Sequence, residues 1–273
     1  MAFDSDREQL IVYGGFCDFN VDCPASGGDA IDETYVYDVA AKTWTLLPGP
    51  HPAGLLRYSA ALVYMPTEHR ALMFGGVAED PVSAERLTPT DTWAFYGTWT
   101  KLPATGPAAT EHPAADWDSD LERVVLFDSE GNTWLYGEGT WTPLTITGPA
   151  PGPRIGAVLA YDTSRHRHLL VGGFSLDTVN EAIDAWELDA GAGVWTSLYI
   201  PGATPLPRRG FVLERHAHGR GYVLFGGSSG TSQPRGDAWM LKYKSAGVDE
   251  ICGDDEDSDE DGQSDAIDPD CAF

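Results

Sequence analysis

The chain has 273 residues, 42 % hydrophobic and 11 % aromatic, with a formal charge of −25 from 42 acidic and 17 basic side chains. That charge excludes the basic footprint that nucleic-acid phosphates require and disfavours anionic membrane surfaces; no run is long enough to span a bilayer. The excess is uneven: residues 249–270 hold twelve of the acidic residues and no Lys or Arg, while the rest, 30 acidic against 17 basic, is still acidic.

Taken in chain order, the N-terminus (Met1 to Arg7) shows no basic-then-apolar export pattern. It passes into the apolar run Leu10-Ile11-Val12-Tyr13, which closes on Gly14-Gly15. The same event recurs at Ala71 to Phe74 with Gly75-Gly76, at Leu169 to Val171 with Gly172-Gly173, and at Tyr222 to Phe225 with Gly226-Gly227. Each pair is followed by an acid and an aromatic strand, Glu33-Thr34-Tyr35, Asp91-Thr92-Trp93, Asp184-Ala185-Trp186 and Asp237-Ala238-Trp239. A later strand carries Trp44, Trp99, Trp141 or Trp195, each expected to pack between adjacent sheets. The third unit departs from the pattern, with Asp128-Ser129-Glu130-Gly131 in place of Gly-Gly and a hairpin turn in place of a long loop. A unit of roughly 50 residues made of short strands predicts an all-β propeller, in which each sheet buries its faces against its neighbours.

The ordered recurrence of Gly-Gly, aromatic strand and Trp resembles the kelch repeat, up to Lys244. The resemblance implies a kelch-type β-propeller of about five blades over residues 1–246, followed by an acidic tail at 247–273. Both ends of the repeat array are ragged, which fits either a five-blade ring or part of a larger one. Kelch proteins include galactose oxidase, yet no matching copper-ligand pattern is present, and fold alone does not carry function. The predicted class is therefore a binding or scaffold module without catalytic residues; the alternatives are an oxidase or carbohydrate-active enzyme and an intracellular scaffold.

Three arginines, Arg57, Arg154 and Arg209, stand at the openings of inner strands beside small residues. In a kelch ring these openings converge on one face, so the three are candidate ligand-binding residues, able to clamp carboxylates through forked hydrogen bonds. The competing reading is structural pairing with loop acids. The variable loops after the Gly-Gly pairs add recognition surface for a protein or glycan partner. His69, His166, His168, His216 and His218 are expected at hairpin tips, two pairs of them in His-x-His spacing.

The four cysteines form two local pairs, Cys17 with Cys23 and Cys252 with Cys271, which read as disulfides in an oxidising compartment, extracellular, periplasmic or at the cell surface. Between the second pair lies a calcium-type ligand pattern: Asp257, Asp259, Asp261, the Gln263 carbonyl, Asp265 and Asp268 at loop positions one, three, five, seven, nine and twelve, with Gly262 at six. It resembles the Asp-ended loops of dockerins and thrombospondin type 3 repeats, which implies a bound Ca²⁺. The plainer alternative is a solvated acidic tail.

Overall fold

The computed structural model describes residues 1–16, 30–49, 52, 56–80, 83, 85–104, 106–108, 110–200, 204–215, 221–229 and 234–242. Sheet I comprises β1 (Ala2–Asp4), β2 (Gln9–Phe16), β3 (Ala30–Asp38) and β4 (Thr43–Leu46). A short strand, β5 (Leu56–Tyr58), precedes sheet II, whose strands are β6 (Ala61–Met65), β7 (Arg70–Phe74), β10 (Thr92–Phe95) and β11 (Trp99–Leu102); β8 (Val77–Glu79) and β9 (Arg86–Leu87) lie between them in sequence. Sheet III is β12 (Ala114–Asp118), β13 (Arg123–Phe127), β14 (Thr133–Gly137) and β15 (Thr140–Pro143). After β16 (Arg154–Ile155), sheet IV contains β17 (Val158–Asp162), β18 (Arg167–Val171), β21 (Ala185–Asp189) and β22 (Val194–Leu198), with β19 (Phe174–Ser175) and β20 (Asn180–Glu181) inserted. Sheet V is β23 (Val212–Arg215), β24 (Gly221–Phe225) and β25 (Ala238–Lys242).

All pairings are antiparallel, and the described residues contain no helix. The first strands β1, β6, β12, β17 and β23 are sequential neighbours, as the inner strands of a propeller are. Because side chains alternate across a pleated strand, each sheet sends one set of residues towards the sheet before it and the other towards the sheet after it. Leu159 thus belongs to the core between sheets III and IV, and Ala160 to that between IV and V. Four apolar clusters fill the four successive joints.

The hairpins at the far ends of the inner strands repeat one turn. Asp4, Asp118 and Asp162 each accept two backbone N–H groups from the residues two and three further on, at 2.9–3.2 Å. The fifth turn residue is left-handed in sheets I to IV, as Glu8, His69, Glu122 and His166. The chain turns sharply again at the glycine pairs. Gly76 has φ 86° and Gly173 φ 94°, and an added Cβ would stand 2.6 Å from the Tyr58 carbonyl or 2.8 Å from the Ala157 nitrogen, so a side chain is excluded by both conformation and space.

The loops after Gly-Gly carry structure of their own. β5–β8–β9 and β16–β19–β20 form two small three-stranded sheets, so the post-glycine loop pairs back onto the segment that enters the inner strand. In sheet V the isolated bridges Arg209↔Ser228 and Ser228↔Pro234 trace the same path.

Candidate functional site

The arginines before the inner strands are built into a repeated clasp. In sheet IV, Arg154 donates Nη1 and Nη2 to the two carboxylate oxygens of Asp184 at 2.7 and 3.0 Å, Nη1 also to the Gly172 carbonyl, and Nε to the Gly152 carbonyl. The Trp186 indole donates to the same carboxylate at 2.9 Å. Arg208, Asp237, Gly226, Leu206 and Trp239 repeat this set of bonds in sheet V. In sheet II, Arg57 donates Nη2 to Asp91 at 2.7 Å and Trp93 donates to the other oxygen at 2.8 Å. The clasp explains why Gly-Gly, acid and aromatic recur together: in sheets IV and V one guanidinium ties the inner-strand entry to the first glycine's carbonyl and to the acid that leads the third strand. In sheet II Arg57 reaches the acid alone.

Sheet III departs from the repeat here too. The buried Thr110 stands where the arginine would be, exchanging hydrogen bonds with Ser129, and Asp128 receives the Trp134 indole at 2.9 Å while capping the Glu130 and Asn132 amides. The hairpin expected in place of a loop is thus held by a single carboxylate.

Electrostatics follow the geometry. Burial would raise the Asp184 carboxyl, but hydrogen bonds from Arg154 and Trp186 and the arginine's charge carry it below the ordinary carboxylate value. Burial opposes the Arg57 charge and the Trp93 bond in the same way at Asp91, with the same net direction. Hydrogen bonds from Arg208 and Trp239 hold Asp237 far below its usual range.

Of the three arginines singled out from sequence, Arg57 and Arg154 therefore face intrachain carboxylates. Arg209 is one position beyond the clasp residue of sheet V, and its neighbour Arg208 fills that role. This off-by-one placement frees Arg209. Its guanidinium lies 5.5 Å from the Phe174 ring centroid, a cation–π distance. Among the described residues no carboxylate stands within ion-pair distance of it.

Arg209 occupies a defined ring of positions. Two residues after each clasp position comes a left-handed residue, Ser59, His112, Gly156 and Gly210. The Gly156 amide donates to the His112 carbonyl at 3.3 Å and the Gly210 amide to the Gly156 carbonyl at 3.0 Å, stitching neighbouring strand entries together around the axis. The residues just before them are Tyr58, Glu111, Ile155 and Arg209. Arg86, on β9, donates to Glu111 at 3.2 Å. Burial lowers the His112 pKa, and although Glu111 opposes, the charges of Arg209 and Arg86 push the same way. The mouth of the axis thus gathers Arg209, His112 and Tyr58 with the Phe174 ring, beside the Arg86–Glu111 pair, and Arg209 gives it a donor fork suited to a carboxylate attached to an apolar or sugar-like body.

Asp116, His69, His166 and His168 have partners within the chain. Asp116 on β12 accepts the Tyr161 amide at 2.7 Å, and burial raises its carboxyl; burial and then the Asp116 charge raise Glu214 on β23. His168, expected at a hairpin tip, is instead fully buried on β18, with Nε2 3.1 Å from Asp118 and its ring on Tyr161 at 4.6 Å. His69 and His166 do lie at tips, against Asp6 and Asp120 of the preceding sheet. No cluster of three metal-ligating side chains occurs among the described residues. A groove of about 330 Å³ between sheets I and II, lined by Asp4, Arg7, Asp38, Thr45 and Tyr96, opens at the hairpin end, away from the mouth. Cys17, Cys23, Cys252 and Cys271, the acidic loop Asp257 to Asp268, and His216 and His218 lie outside the described residues.

Five successive radial sheets with neighbouring inner strands define a protein of the β-propeller class. No family model matches the chain. Among solved structures it is similar to one entitled "Structure of YjhT", a β-propeller protein, with a TM-score of 0.66 at 13 % identity, covering 89 % of this chain and 80 % of that one. At that identity the likeness speaks for the fold, and the all-β propeller expected from the repeat is the fold found. No helix of the described residues is long and apolar enough to cross a membrane.

Proposed function

We propose that the chain is a kelch-type, non-enzymatic binding module whose axial mouth recognises a carboxylate-bearing protein or glycan. The observation that carries this reading is Arg209, a guanidinium without a carboxylate partner among the described residues, held against Phe174 beside His112 and Arg86. An arginine on a protein this acidic is normally neutralised by a neighbour, as Arg57, Arg154 and Arg208 are; one left open offers a fork of donors to an incoming anion. Asp116 and Glu214 lie further along the inner strands, and the backbone bond from Tyr161 gives Asp116 a structural role.

Calorimetric titration with a tetraglutamate peptide and with an oligogalacturonate, each beside a neutral counterpart, tests the reading. Binding of at least one acidic probe is expected, weakened about tenfold or more by Arg209→Gln, the loss of one charge-assisted bond, with an unchanged melting temperature. Binding that ignores this substitution, or no binding of either acid, would overturn it.

The same proposal places the protein outside the cytosol, with Cys17–Cys23 and Cys252–Cys271 as disulfides and the Asp257 to Asp268 loop holding Ca²⁺. Support comes from the ligand spacing and the bracketing cysteines. Calcium titration of the non-reduced chain should give one ion per chain, lost when Asp257 and Asp261 are both changed to Asn; a wild-type chain that takes up no calcium would reduce the tail to solvated charge.

A further inference from the structure

Three internal joints between sheets use one lock. The Trp99 indole donates to Thr34 Oγ1 at 2.8 Å, Trp141 to Thr92 at 3.0 Å and Trp195 to Thr133 at 3.2 Å. In each case the tryptophan is on a fourth strand and the threonine, directly before an aromatic residue, is on the third strand of the sheet before. Each indole also packs on an aromatic of the second strand of that earlier sheet, Tyr13 (just before Gly14-Gly15) at 4.9 Å, Phe74 at 5.1 Å and Phe127 at 5.7 Å. Its own sheet contributes a further side chain, Phe95 for Trp99 and Tyr136 for Trp141.

Trp44 holds the same place on sheet I. Its own-sheet contact exists, Tyr37 at 5.0 Å, yet it is 55 % exposed. The register Phe3↔Leu10↔Tyr37↔Trp44 puts Phe3 on the same face, and Leu46 joins it; both are exposed. Among the described residues, no strand of sheet V packs extensively on this face. Phe225, the counterpart of Tyr13, Phe74 and Phe127, is itself 52 % exposed, and Ala238 stands where Thr34, Thr92 and Thr133 stand. A direct joint between sheets V and I would leave the Trp44 N–H without the hydroxyl that its three equivalents have. The same argument applies to a second copy, whose open sheet V face carries Ala238 and whose three lock threonines are already engaged.

We propose that the Trp44 face of sheet I docks a partner sheet of propeller-blade type, one that presents an aromatic ring at the end of its second strand and a threonine hydroxyl at the start of its third. The warrant is continuity with the internal joints: the face displays the donor half of a lock whose acceptor half is built three times within the chain. A contiguous exposed apolar face of this kind marks an interaction surface, and the indole N–H at its edge needs an acceptor once the face is covered.

The test supplies such a sheet in cis, by placing a second copy of residues 57–115 directly before Ala2 of the full chain, so that the copied Thr92 and Phe74 meet Trp44. The expected result is a melting temperature raised by about 5 °C or more and reduced acrylamide quenching of the Trp44 contribution, identified by difference against Trp44→Phe. Changing the copied Thr92 to Ala should remove part of the rise in the Trp44 chain and none in its Trp44→Phe counterpart. An unaltered melting temperature together with unaltered quenching overturns the proposal. So does sedimentation of the original chain as a concentration-dependent oligomer that Trp44→Glu abolishes, because a second copy is then the occupant.

Discussion

Trp195→Ala will destabilise the protein by about 3–5 kcal/mol, the usual cost of emptying a buried aromatic site, whereas Trp44→Ala will cost about 1 kcal/mol or less, as exposed substitutions do. The two residues hold equivalent places in the repeat and differ in what covers them. Trp195 is almost fully buried among Phe127, Leu170 and Leu188, and its N–H reaches Thr133. Removing the ring leaves a cavity walled by two sheets that their own hydrogen-bond ladders keep from collapsing into it, and it also strands the threonine hydroxyl. Trp44 rests on Tyr37 with its other face in solvent, so truncation opens no cavity. Urea midpoints for the two variants, measured beside the parent, decide the matter; equal losses would mean that Trp44 is covered in solution.

The comparison also shows how much of the fold was legible. Spacing of glycine pairs and aromatic residues is enough to identify a propeller, because each sheet must satisfy the same sterics and bury the same faces. The lock between sheets was partly visible, in that the four tryptophans were expected between sheets. Its acceptor was not, because a threonine before an aromatic strand looks like ordinary β propensity until two sheets are brought together. Arg209 was read as the fifth-unit equivalent of Arg57 and Arg154, although Arg208 holds that place. Two adjacent arginines present the same pattern to the eye, and only the distance to Asp237 separates them. His168 was misplaced for a related reason: a two-residue step along a strand returns a side chain to the same face but carries it from the tip into the core. Of the mouth constellation, only Arg209 was singled out. Arg86 sits on β9 of a small added sheet and His112 in the segment entering β12, and no local pattern reveals that both reach the axis.

The second large effect concerns the clasp. Asp184→Ala leaves the Arg154 guanidinium buried and facing only carbonyls, and should cost about 2–3 kcal/mol. That is below the 3–5 kcal/mol of a fully buried pair because the Asp184 side chain is 40 % exposed and water replaces part of what is lost. The loss should depend on pH in a definite direction. The Asp184 carboxyl titrates below its ordinary value in the folded chain, so the folded state favours the ionised form. Its contribution is complete above the unfolded carboxylate pKa, near 3.9, and drains away as pH falls through the lower folded value. Asp184→Asn keeps the shape and removes the charge. Its deficit relative to the parent should be full at pH 6–7 and shrink below about pH 4, where the unfolded parent begins to take up a proton that the folded carboxylate still excludes. Urea midpoints of both proteins at neutral and acid pH measure this directly. A deficit that stays constant across that range would show that the clasp acts through hydrogen-bond geometry rather than through charge. Arg154 and Arg209 can then be told apart by experiment: substitution of the first should move stability and its pH dependence, while substitution of the second should move ligand binding alone.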